Sequence, residues 1–407
     1  MAVGCEEVWR QLKRDLAFSK YGGAWVRWVS GDYGAGKTFL CSWLREEAWR
    51  EGFVVAAVDL GRDAPLHRFD VIYHRIMEGL RTDAFWEVPA FEFILQEWLF
   101  NLEKEAGRSL GLNPLQPEHR GSIAKAVERQ IDEHLAKLRL ADPCLANALR
   151  SYYLAVQHDH DIVATAAVDW LKGAPSVPAE ILQELNLRGG VNKENARRFL
   201  RAMAALMVHI GYAGVVMIFD EAELIRGIAR ADSRNAAYEN IRLLMEGTAQ
   251  GDFPHCGFLL AGSEELFNDE RRGIPSYPPL YEQVKPSGGR GKTPAQHQPL
   301  LHLEGFHQAR LTEAALKVRQ AHGMAYGWQP ELRLTDALLE RLVEDMAARV
   351  GEAFTTAPRG VFKVLVDVLD ALHQQPSVAL PEVIGAADYA DRIEEVERQE
   401  ARLLDRP

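Results

Sequence analysis

The sequence predicts an α/β protein: a parallel sheet wrapped by helices, interrupted by a large all-helical insertion and followed by a C-terminal helical domain. Three observations lead there. Between residues 25 and 80, apolar strand-like runs alternate with amphipathic helical patterns, and parallel strands need such crossovers between them. Between residues 82 and 190 helical patterns continue without a convincing strand, and beyond residue 307 the chain reads as helix throughout.

Composition sets the bounds. With 407 residues, 47% hydrophobic and 26% charged, the chain has ample material for a core, in two or three domains. The formal net charge of -11 excludes a generally basic nucleic-acid sleeve, so any DNA or RNA contact must come from a local patch or an oligomeric pore. Cys5, Cys41, Cys144 and Cys256 are far apart and form no C-x-x-C pair, which argues against a zinc site or disulfide framework and for a reducing cytoplasm. No signal peptide and no run of about 18 apolar residues is evident, so neither secretion nor membrane spanning is expected.

Residues 6–19 place Val8, Trp9, Leu12, Leu16 and Phe18 largely on one helical face, ended by Gly22-Gly23. Such a helix either flanks a bound base or simply packs on the sheet. Residues 25–30 (WVRWVS) form a short buried strand and residues 39–49 a helix. Between them stands Gly31-Asp32-Tyr33-Gly34-Ala35-Gly36-Lys37-Thr38, a full match to G-x-x-x-x-G-K-[ST] in the strand-to-helix context that the motif requires. The glycines let successive N–H groups and the helix N-terminus face one anion. Lys37 adds charge against the β- and γ-phosphates, Thr38 can ligate Mg²⁺, and Phe39 comes directly after. Residues 53–60 (FVVAAVDL) give a second buried strand and residues 65–80 an amphipathic helix.

The helical insertion offers segments at 91–105, 122–140, 143–157 and 162–171, separated by Pro, Gly and Asp-rich breaks. A helix at 192–210 then turns at 211–214 into Val215-Val216-Met217-Ile218-Phe219-Asp220-Glu221. Five apolar residues ending in two acids describe a buried strand with carboxylates at its C-terminal edge. Asp220 is suited to hold Mg²⁺ and Glu221 to orient the attacking water. A fourth strand, residues 256–261, ends at Gly262-Ser263. Ser263 either reaches the γ-phosphate or the lytic water, or caps the helix that begins at Glu264-Glu265.

Residues 285–299, rich in Gly, Pro and Lys, read as a flexible loop, and residues 300–303 as a fifth strand. Helical patterns continue at 308–322, 335–350, 358–373 and 381–404. Arg359 falls in the first turn of a helix opened by Thr355, Thr356 and Pro358, where the macrodipole disfavours a cation. It either projects toward a phosphate or makes a surface salt bridge. No internal repeat is found.

Together, the loop at 31–38, Asp220-Glu221, Ser263 and Pro358-Arg359 resemble an AAA+ ATPase of the origin-recognition and replication-initiator branch. The resemblance implies a P-loop NTPase fold with a parallel five-stranded sheet ordered 5-1-4-3-2 and a helical lid. The positions become Walker A, Walker B, sensor 1 and sensor 2. The implied division is a core of residues 1–82 and 191–306, an insertion of 83–190 and a lid of 307–407. Pro65-Leu66-His67-Arg68-Phe69-Asp70, Arg188-Gly189-Gly190-Val191, Phe219-Asp220-Glu221-Ala222-Glu223 and Tyr277-Pro278-Pro279-Leu280-Tyr281 are similar to BREX phage-defence ATP-binding proteins of the BrxD-like family, usually encoded beside a large helicase.

The resemblance further implies ATP and Mg²⁺ as cofactors, a homo-oligomer with an arginine supplied in trans, and a helicase or DNA as partner. Arg271 and Arg272 are the first candidates for that arginine, Arg230 and Arg234 the second. No winged helix is expected after Leu404, which weakens sequence-specific DNA reading. Two functions of different class stand: an ATPase that remodels a partner, and a nucleotide-gated interaction module. A small-molecule kinase suits the paired acids less well.

Overall fold

The computed structural model describes residues 5–137, 143–285, 298–350, 358–375 and 377. Residues 286–297 of the Gly/Lys-rich loop, Thr355 and Thr356, and the helix expected at 381–404 lie outside the described residues.

The first helix, α1 (Glu6–Lys20), leads through Gly22 and Gly23 into β1 (Trp25–Ser30), and the phosphate-loop motif then opens α2 (Lys37–Arg50). Next come β2 (Val54–Asp59), α3 (Phe69–Gly79) and the two-residue β3 (Leu80–Arg81). The insertion comprises α4 (Phe91–Leu110), α5 (Arg120–Lys137), α6 (Pro143–Gln157), α7 (Asp161–Leu171) and α8 (Ala179–Glu184). The chain returns through α9 (Ala196–Ile210) to β4 (Val215–Asp220), α10 (Ala231–Ala249), β5 (Cys256–Gly262), α11 (Glu264–Asn268), α12 (Pro278–Val284) and β6 (Leu300–His302). It continues with α13 (Gln308–Tyr326), α14 (Asp336–Val350) and α15 (Pro358–Gln374).

The sheet runs β3-β2-β4-β5-β1-β6. With β3 set aside and counting from the other edge, this is the order 5-1-4-3-2. β2 pairs parallel to β4 from Val54↔Val215 to Asp59↔Asp220, and β4 parallel to β5 from Val215↔Cys256 to Phe219↔Leu260. Every residue of β4 and β5 is buried, as befits central parallel strands covered on both faces. β3 adds an antiparallel edge to β2, with Val55 opposite Arg81. It takes the place of the last expected helical residue, because Leu80 leaves helical geometry at φ -59°, ψ 131°. A pair of residues is too short for a period to show.

The chain divides into two compact units: one of Met1–Gln11, Val29–Lys37 and Leu301–Pro407, the other of Leu12–Trp28 and Thr38–Leu300. In the larger unit a continuous cluster takes in strand residues Val54, Met217 and Phe258, helix residues Tyr73 and Phe199, and insertion residues Trp98, Val127, Tyr152 and Trp170. The insertion therefore shares the sheet's core. Tyr73 makes the join explicit: its ring meets Phe199 edge-on at 6.2 Å, and its buried hydroxyl donates to Leu171 O at 2.6 Å. Within the same unit Arg27 of β1 holds Asp15 of α1 in a buried fork, Nε to Oδ2 at 2.7 Å and Nη2 to Oδ1 at 2.8 Å, and also donates to Gln298 O at 2.7 Å. The smaller unit has its own core, with Leu311 and Ala315 of α13, Leu342 and Met346 of α14, and Val361, Leu365 and Leu369 of α15.

Candidate functional site

The phosphate loop begins where β1 ends. Gly31 is buried, and a Cβ there would stand 3.0 Å from Ala35 Cβ and 3.1 Å from Leu303 O, so a larger residue would push its neighbours aside by a few tenths of an ångström. Gly34 and Gly36 adopt left-handed φ of 79° and 95°, and a Cβ on Gly36 would meet nothing within 4 Å. The loop is thus wound tightly inside and open outside. Ala35 N–H bonds to Asp32 O at 3.1 Å, whereas among the described residues the N–H groups of Gly34 and Gly36 find no acceptor in the chain. Lys37 Nζ donates to Gly31 O at 2.8 Å and Asp32 O at 3.0 Å, which holds the ammonium across its own loop. Asp32 and Thr38 are exposed, and the rings of Tyr33 and Phe39 are each about half exposed. Free amides, an ammonium and the N-terminus of α2 make a fitting cradle for an anion.

The acids stand at the C-terminal end of β4. Asp220 is 8% exposed, and its Oδ1 accepts the Glu221 N–H at 2.9 Å. Glu221 itself is left-handed, φ 57° and ψ 36°. Burial, then the carboxylates of Asp220, Asp59 and Glu223, push the Glu221 carboxyl above its ordinary range. Asp59 is an acid that motif reasoning misses. Parallel pairing sets it opposite Asp220, and burial and Asp220 raise its carboxyl too. VVAAVD does end an apolar run in an acid just as VVMIFD does, but that pattern alone does not say that the two strands pair in register.

Among the described residues no three or more His, Cys, Asp or Glu side chains form a group able to hold a metal. Mg²⁺ asks for less, one or two protein oxygens with phosphate and water completing its shell. Asp220 Oδ2 and the Thr38 hydroxyl, both hard oxygen donors without a partner in the described chain, are of the kind it takes.

The sequence matches the family of BREX system ATP-binding protein BrxC/D over residues 1–388. The chain belongs to the BrxC/D family. No curated protein matches it in sequence. Among solved structures it is similar to the Aeropyrum pernix ORC2 protein in ADPNP and ADP complexes, at 16% identity and a TM-score of 0.44 over 97% of this chain and 68% of that one. It is also similar to Drosophila ORC bound to DNA, at 11% identity and a TM-score of 0.40, over 94% of this chain and 65% of that one, just under two thirds of its length.

In this BrxC/D chain Ser263 occupies the position before α11 with extended backbone, φ -70° and ψ 159°, yet its side chain makes no cap bond. The hydroxyl is not committed to the helix. Around the carbonyl of Ile228, Arg234 Nη1 donates at 2.9 Å and Arg272 Nη2 at 3.2 Å. Arg234 is buried, whereas Arg230, Arg271 and Arg272 are exposed, so these three are the ones able to meet a neighbour. The backbone N–H groups of Arg271 and Arg272 both bond to Asp269 Oδ1, at 2.8 and 3.2 Å, which fixes their turn. Arg359 is the second residue of α15, and its side chain lies outside the described residues. Among the described residues no helix is long and apolar enough to cross a membrane.

Proposed function

We propose that this chain is a Mg²⁺-dependent ATP hydrolase that couples turnover to the assembly or remodelling of a partner, a helicase acting on DNA in phage defence. The observation that carries the reading is the open phosphate cradle of residues 31–38, with Lys37 held over it, in a chain whose β4 ends in Asp220-Glu221.

The loop amides and Lys37 Nζ would bind the phosphates, and Tyr33 and Phe39 offer exposed rings for the rest of the nucleotide. Thr38 and Asp220 would hold Mg²⁺, which supplies charge neutralisation on the phosphates when bound. Glu221 would orient water and accept its proton at the carboxylate. Ser263 Oγ, free of a cap bond, can hydrogen-bond the same water or a phosphate oxygen. Arg359 and, from a second copy, Arg272 would add positive charge as the terminal phosphate departs.

A second reading, a nucleotide-gated module with slow hydrolysis, draws on one feature: Glu221 is strained, with its N–H tied to Asp220. Steady-state ATP hydrolysis with Mg²⁺ separates the two. Lys37→Ala should lose nucleotide binding, and Glu221→Gln should keep binding while turnover falls by about 10²-fold or more. Wild-type protein that binds ATP tightly without turnover, alone or with DNA, would favour the gated module.

A further inference from the structure

The stretch Arg188-Gly189-Gly190-Val191, before α9, takes no part in the chemistry above, yet its backbone is arranged for a ligand. Side chains from elsewhere in the chain hold its carbonyls. Trp170 Nε1 donates to Gly189 O at 2.8 Å, Asn195 Nδ2 to Gly190 O at 3.0 Å and, more weakly, Cys144 Sγ to Arg188 O at 4.0 Å. Just upstream Asn147 Nδ2 donates to Asn186 O at 3.1 Å. In a trans peptide the N–H opposes the preceding C=O, so the amides that follow these carbonyls point away from the side chains that hold them. Among the described residues none of the N–H groups from Arg188 to Val191 donates to the chain. Arg188, Gly189 and Gly190 are exposed, Gly189 is left-handed at φ 64°, and a Cβ on either glycine would meet nothing within 4 Å. Successive outward amides in such a turn form a concave anion site.

The charge agrees. Between residues 188 and 201 stand five cations, Arg188, Lys193, Arg197, Arg198 and Arg201, against Glu194 alone, in a chain of net charge -11. Arg197 is engaged by Asn240 and Arg201 by Asp252, but Arg188 and Lys193 are exposed and have no carboxylate partner among the described residues. Arg198 is exposed, and its guanidinium lies over the Phe199 ring at 6.0 Å. The first turn of α9 holds two arginines and no acid, opposite to what the helix dipole favours.

We infer that the loop at residues 188–191, with the side chains of Arg188 and Lys193, binds the phosphate backbone of a nucleic acid. A protein partner is disfavoured because no large hydrophobic residue is exposed between Ile162 and Leu224, and protein interfaces draw their energy from apolar and aromatic anchors. A free phosphate would meet only one shallow, exposed turn, whereas a polymer also engages Arg188 and Lys193 and gains from linkage. No aromatic side chain is exposed on residues 188–201 to stack on a base, so these residues hold the backbone without regard to sequence.

The test is fluorescence anisotropy of labelled 20-mers, duplex and single-stranded, with the full chain and no nucleotide. Binding should weaken steeply with salt. Arg188→Ala/Lys193→Ala should lower affinity by about tenfold or more and flatten the log–log salt slope by about 1 per lost contact, whereas exposed Arg50→Ala should bind as wild type. On the wild-type chain, hydrogen exchange at amides 188–191 should slow when oligonucleotide is added, which reads the site without any variant. Inorganic phosphate that protects these amides while oligonucleotide does not would reassign the loop to a free anion and overturn the proposal. So would undetectable binding at about 50 mM salt, or equal affinity of double variant and wild type. Failure here beside intact ATP turnover removes this site and leaves the hydrolase reading standing.

Discussion

Glu221 sits in the left-handed region, φ 57° and ψ 36°, at a cost of about 1–2 kcal/mol for a residue with a Cβ. Asn tolerates that region better and brings no charge beside Asp220 and Asp59. Glu221→Asn should therefore raise the stability of nucleotide-free protein by about 1 kcal/mol in urea denaturation while abolishing turnover, a trade expected where strain serves function. A less stable variant would show that the strain is not released. Asp59 gives the pH counterpart. Its carboxyl holds a proton more tightly in the folded chain than at the unfolded value of 3.8, so its ionisation weakens the fold as pH rises through the raised folded value. Without metal, Asp59→Asn should melt higher than wild type near pH 7, and the gain should vanish below about pH 4, where both states are protonated. Of the candidate site, the loop and the paired acids were legible because their chemistry is written in consecutive letters. Asp59 was not, since it gains meaning only from the register that puts it opposite Asp220.

At the scale of elements, the strands were legible as apolar runs, with boundaries shifted by one or two residues. β3 and the short α8 escaped because neither is long enough to show a period. The buried fork between Asp15 and Arg27 was also hidden, because an acid on α1 and a base on β1 look like ordinary surface charges until the two elements are packed. Removing one partner leaves an uncompensated buried charge, so Asp15→Ala should cost about 3–5 kcal/mol. Equilibrium denaturation measures this, and a loss under about 1 kcal/mol would mean that water reaches Arg27. Close approach explains Gly257, the second residue of β5: a Cβ would stand 2.2 Å from the Trp25 ring of β1. The residue that weakens a strand by propensity is here the one that admits a large neighbour.

For the whole molecule, the exposed arginines matter only if a second copy presents its nucleotide. Arg272→Ala and Lys37→Ala should each be nearly inactive alone, and a mixture should recover turnover at interfaces where one copy keeps Lys37 and the other keeps Arg272. Wild-type specific activity should rise with protein concentration until assembly saturates. A mixture no more active than its parts, with wild-type activity independent of concentration, would mean that no arginine is shared at this position.

By itself the sequence determined the class and the local pattern: a glycine-rich loop between strand and helix, acids at the end of a buried strand, an α/β core and helices beyond it. These come from short-range rules of period, turn residue and motif spacing, which need no partner from elsewhere in the chain. Only the tertiary structure decided that the helical insertion shares one core with the sheet through residues such as Tyr73, Tyr152 and Trp170, that Asp59 stands opposite Asp220, and that the carbonyls of the 188–190 turn are held by the side chains of Trp170, Asn195 and Cys144. Each depends on which distant surfaces bury one another, and apolar burial is non-directional. A pattern can therefore say that a face must be covered, while the covering partner is chosen only when the whole chain closes.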